Sequence, residues 1–166
     1  MCCYFAYFIL SASAQDKKTR NLPKLSPPPG GIKLLDGYVH IKEQGIDTWF
    51  GRIKKEGGLN ITYDIGRLAG EYVILCLRDR TCAWYKEQQL KGGLVKIALT
   101  KDGRIIATFP KTTANFIAEV ESQEDIADFL IMILTYDETQ CCENNATANN
   151  SLDMRRKKLL CYHVAG

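Results

Sequence analysis

The chain has 166 residues, 46% of them hydrophobic and 25% charged, and a net charge of +3. That length supports one ordinary core and leaves no room for two domains. Residues 15–35 carry five Lys/Arg against one Asp, residues 36–137 thirteen against fifteen, and residues 138–166 four against three. The globular part is therefore slightly acidic, which argues against a nucleic-acid-binding domain, since that needs a basic face on the fold itself.

The first fourteen residues, MCCYFAYFILSASA, run apolar from Cys2 to Leu10 and then turn small. Ala12-Ser13-Ala14 fits the A-x-A pattern before a signal-peptidase cut, so cleavage between Ala14 and Gln15 is expected. The apolar run falls far short of the roughly 20 residues a membrane span needs. Residues 15–35 are basic and contain Pro27-Pro28-Pro29 followed by Gly30-Gly31. They read as an extended, solvated linker.

From residue 36 to residue 121 the apolar period is mostly two. In GYVHIKE, Val39 and Ile41 are expected on one side, with His40 on the more polar, solvated side. Trp49, Gly51 and Ile53 alternate with Phe50, Arg52 and Lys54. After the Glu56-Gly57-Gly58 turn, Leu59, Ile61, Tyr63 and Ile65 share a face. EYVILCLR (71–78) is a continuous apolar run and reads as a central strand. AWYKEQQL fits a strand or a short helix. LVKIALT and RIIATFP flank Asp102-Gly103 as a tight hairpin. In NFIAEVE, Phe116, Ala118 and Val120 point inward.

At Ser122 the period changes. Ser122 and Asp125 are spaced for a capping box, and Ile126, Phe129, Leu130, Ile133 and Leu134 follow at helical spacing. Ile131 and Met132 widen the stripe, which leaves apolar surface for self-association through the 126–134 helix. Residues 138–166, Asn-rich and then basic, read as a disordered tail. The expected fold is α+β: an antiparallel, possibly barrel-like sheet of about six or seven strands, with one C-terminal helix and a single domain over 36–137.

Cys76 and Cys82 bracket LRDRT. In an exported chain that spacing favours a disulfide across a short loop, stabilising by about 2 kcal/mol on chain entropy. A zinc site needs four ligands and has no second pair nearby, and a redox pair prefers C-x-x-C. Removing Cys2 and Cys3 leaves five cysteines, an odd count that leaves the pairing of Cys141, Cys142 and Cys161 open. No motif for a cofactor or metal is present. His40 is the one histidine within 36–137, and Ser122, the one serine there, is explained as a cap. Asp64, ending a strand before Gly66, is the carboxylate best placed for chemistry. Three functions follow. The first is a secreted or periplasmic binding module for a protein, a glycan or a small apolar ligand. The second is a small hydrolase using carboxylates around Asp64 with His40. The third is an inhibitor or structural protein acting through the C-terminal helix.

Overall fold

The hairpin at Asp102-Gly103 forms as its residues require. Gly103 takes a φ of +82°, which an L side chain rarely adopts, and its N–H donates to the Thr100 carbonyl at 3.1 Å. The Thr100 hydroxyl accepts from the Arg104 N–H at 2.9 Å and closes the turn. In the computed structural model, which describes residues 26–45 and 47–140, this hairpin is one of several.

The strands are β1 (Val39–Lys42), β2 (Trp49–Lys54), β3 (Asn60–Ile65), β4 (Cys82–Leu90), β5 (Gly93–Thr100), β6 (Arg104–Phe109) and β7 (Ala114–Glu119). They form one seven-stranded sheet in the order β1-β2-β3-β7-β6-β5-β4, with every neighbour antiparallel. Helix α1 (Tyr72–Arg78) lies between β3 and β4, and α2 (Gln123–Ile133) follows β7. The fold is α+β, as expected from the change of period at Ser122. The capping box is present: Ser122 Oγ accepts from the Asp125 N–H at 3.1 Å, and Asp125 Oδ2 accepts from the Ser122 N–H at 3.0 Å.

Directly opposed residues of neighbouring strands share a face. On one face Ile53, Ile61, Tyr63, Phe116, Ala107 and Ile97 lie beneath Phe129, Met132 and Ile133 of α2. On the other, Ala98 and Ile106 lie beneath Val73 and Cys76 of α1.

Four expectations are corrected. The sheet is open, not barrel-like: β1 and β4 end it as edges, and its core is closed by α2 on one face and, more locally, by α1 on the other. EYVILCLR forms α1, not a central strand. A short apolar run has no periodicity that separates the two states, and the place between β3 and β6 is taken by β7. The fold thus has two helices where one was expected. Strand β1 is turned over: Tyr38 and His40 are buried and Val39 is exposed, because His40 finds hydrogen-bond partners inside. AWYKEQQL resolves to strand β4.

The end of the Pro-rich stretch belongs to the interior. Pro29–Gly31 make a 3-10 turn, Pro29, Gly30 and Ile32 are buried, and the Asp137 N–H donates to the Gly30 carbonyl at 2.9 Å. Gly30 has a φ of +56°, and a Cβ there would collide with the Tyr136 ring, so both backbone and space require glycine. The Ala14–Gln15 cleavage point and Cys141, Cys142 and Cys161 lie outside the described residues.

Candidate functional site

Alternation along β3 separates the two residues assigned to chemistry. Tyr63 points to the α2 face and Asp64 to the α1 face. His40, opposite Ile53, lies on the same face as Tyr63. It is 2% exposed. Its Nδ1–H donates to the Ser26 carbonyl at 2.8 Å and its Nε2 accepts from the Tyr63 hydroxyl at 2.8 Å. Both ring nitrogens are engaged in the neutral form, and burial lowers the imidazole pKa. His40 and Asp64 therefore do not converge, and the histidine works as a packed hydrogen-bond bridge.

Asp64 sits in a polar row under the first turn of α1. Register places Asp64, Asn115, Thr108 and Lys96 side by side across β3, β7, β6 and β5. Asn115 Oδ1 accepts from the Thr108 hydroxyl at 2.7 Å and from the Tyr72 N–H at 3.2 Å, while its Nδ2–H donates to the Gly70 carbonyl at 2.8 Å. The Tyr72 hydroxyl donates to Asp64 Oδ2 at 3.0 Å, and Lys96 Nζ meets Glu71 at 2.8 Å. Burial and the Asp64 carboxylate raise the Tyr72 pKa. These contacts fasten the beginning of α1 to the sheet. Its end is fastened by Cys76 and Cys82, whose sulfurs lie at disulfide distance, 2.08 Å, with Cα atoms 5.4 Å apart.

Between those two anchors α1 buries only Val73 and Cys76. Ile74, Leu75 and Leu77 are 47%, 45% and 41% exposed, and Leu68 in the preceding loop is 73% exposed. Among the described residues, this aliphatic surface on a short helix and its preceding loop gathers four of the exposed large apolar side chains. Sequence pattern does not reveal this surface, because a continuous apolar run fits a central strand as well as a helix. The signal present was the abrupt Arg78-Asp79-Arg80 after the apolar stretch, which suits a helix end more than a buried strand.

Two further features stand apart. A cleft of about 540 Å³ is lined by Asn60, Thr62, Arg104, Ile117, Glu119 and Glu121 among others, with no aromatic ring in its wall. Glu138 is 2% exposed, and neither of its carboxylate oxygens has a hydrogen-bond partner. Burial pushes its pKa up to about 7, with Lys111 opposing and Asp137 adding to the rise.

Among the described residues, no group of three or more His, Cys, Asp or Glu side chains is placed to hold a metal ion, and no helix is long and apolar enough to cross a membrane. No protein-family model matches the chain, and no curated protein and no solved structure matches it.

Proposed function

We propose that the protein is an extracytoplasmic interaction module whose docking surface is the outer side of α1. The observation that carries this reading is the aliphatic, solvent-facing side of α1, held rigid at both ends. Exposing three large apolar side chains on one short helix costs solubility, and a binding surface is the usual reason a fold accepts that. Export is supported by the apolar leader ending in Ala14 and by the Cys76–Cys82 pair at disulfide distance. The cleft near Asn60 and Glu119 has a mostly polar lining, with Leu59, Ile117 and Ala118 as its apolar part and no aromatic ring, which suits a small apolar ligand poorly. The hydrolase reading needs His40 and Asp64 in one cleft, and they lie on opposite faces of the sheet.

Two measurements test the proposal. Intact-mass analysis of the secreted product should give a chain beginning at Gln15, gaining the mass of two hydrogens for the Cys76–Cys82 bond on reduction. Full-length product recovered from cytosol with every thiol open to alkylation sinks the export half. Hydrophobic-interaction chromatography tests the surface: Leu75→Ser with Leu77→Ser should elute earlier than the parent with an unchanged circular dichroism spectrum. Equal retention means that the α1 side chains are covered in solution.

Self-association through α2 keeps one supporting observation, the 54% exposure of Ile131 beside a partly exposed Leu134. It implies a concentration-dependent dimer that Ile131→Glu abolishes. A monomer by light scattering ends that reading.

A further inference from the structure

The docking surface has a chemistry that selects its counterpart. All four of its large exposed side chains, Leu68, Ile74, Leu75 and Leu77, are aliphatic. The one exposed tryptophan, Trp84, belongs to the opposite face of the sheet, across from Leu99. Protein interfaces draw much of their binding energy from aromatic anchors that fill pockets, and leucine is under-represented among such anchors. A surface of leucine and isoleucine standing on top of a sheet offers no aromatic anchor of this kind.

The charges beside it are unbalanced. Five charged residues flank or belong to this segment: Arg67, Glu71, Arg78, Asp79 and Arg80. Glu71 is taken by Lys96 at 2.8 Å, and Asp79 by Arg78 at 2.8 Å. Among the described residues, Arg67 and Arg80 have no ion-pair partner. Two unpaired guanidinium groups thus rim an aliphatic surface, on a region (36–137) whose own charge is net negative at thirteen against fifteen. A second copy brought face to face across a two-fold axis would set these like charges on both sides of the contact. An anionic counterpart matches them.

Aliphatic side chains flanked by arginine, with no demand for shape complementarity, fit a bilayer boundary. The apolar side chains enter between headgroups, and the guanidinium groups meet lipid phosphates. We propose that the outer side of α1 and the Leu68 loop dock this protein peripherally on an anionic lipid surface. The proposal rests on the reading of α1 as a docking face and adds its counterpart. Its rigidity follows from the anchors already described: the helix is presented pre-formed, so binding carries little ordering cost.

The test is co-sedimentation of the oxidised chain, from Gln15 onward, with phosphatidylglycerol/phosphatidylcholine vesicles and with pure phosphatidylcholine vesicles. Binding should be seen with the anionic vesicles, be weakened by salt, and be about tenfold weaker or lost in Ile74→Ser with Leu75→Ser. Arg67→Glu with Arg80→Asn should weaken it comparably. Asparagine is chosen because position 80 has a φ of +54°, which it tolerates. Both double variants leave the basic flanks at 17–33 and 155–158 untouched, so binding carried by those flanks would survive in them, and that result overturns the proposal. Absence of binding to either vesicle also overturns it. If the α1 variants still shift retention on the hydrophobic column, the docking face stands and its counterpart is a protein. A dimer dispersed by the same Ile74/Leu75 change assigns the face to a second copy and overturns the lipid assignment.

Discussion

Glu138 and His40 are two buried titratable groups with opposite effects on stability. Glu138 prefers to be protonated in the fold, with a pKa of about 7 against an ordinary 4.5. Its contribution is greatest at low pH and falls as pH rises from about 4.5 to about 7, because the unfolded chain releases the proton first. The loss is on the order of 3 kcal/mol. His40 prefers to be neutral, since burial lowers its pKa below 6.5. Its contribution is complete above 6.5 and falls as pH drops below that value. Glu138→Gln should therefore be more stable than the parent at pH values above 7, by about 3 kcal/mol, and the two should approach each other in acid. Urea denaturation across that range checks it, and parallel profiles would mean the carboxyl is solvated or paired. Neither group was legible as a buried one in the sequence. Glu138 falls where the composition turns Asn-rich and reads as tail, and a lone histidine in an alternating strand carries no sign of which side it takes.

At the scale of elements, α1 depends on its two ends. It buries only Val73 and Cys76, so packing alone stabilises it little. Cys76→Ser with Cys82→Ser is expected to cost about 2 kcal/mol of global stability. The same change should speed hydrogen exchange of the Tyr72–Arg78 amides while those of α2 stay protected by the burial of Phe129, Met132 and Ile133. Equal protection of both helices in the double variant would show that the Asn115 and Asp64 contacts hold α1 unaided. The cysteine spacing was readable, since a five-residue gap lets two cysteines meet across a short loop. The helix it closes was not. Val73 and Ile74 favour strands, whereas the Tyr72 N–H to Asn115 Oδ1 bond and the occupied place beside β3 favour a helix.

For the whole molecule, the β3–β7 pairing is the joint. Strands β1–β3 and β4–β7 are each sequential neighbours, and they become one sheet only where Thr62, Tyr63, Asp64 and Ile65 meet Ile117, Phe116, Asn115 and Ala114. Phe116 stands at that joint, fully buried, with ring centroids 6.2 Å from Tyr63, 5.9 Å from Phe109 and 5.2 Å from Tyr136. Phe116→Ala should cost about 3–5 kcal/mol. Fluorescence of Trp49 in one half and Trp84 in the other should fall in a single coincident transition. Two separated transitions would make the halves independent units.

The hairpins, the Ser122 helix start, the cysteine loop and the fold class are legible along the chain. Each is written in residues close together along the chain, where turn geometry, capping and alternation act without reference to anything distant. The order of strands, the open sheet, the helical state of residues 72–78, the inward face of β1 and the burial of Glu138 emerge only in the folded molecule. Those outcomes turn on partners far away in sequence: Tyr63 for His40, Asn115 for Tyr72 and the Gly92-Gly93 turn for Glu138. A local pattern leaves such choices balanced within the energy of one hydrogen bond or one buried side chain, and only the assembled sheet supplies the difference.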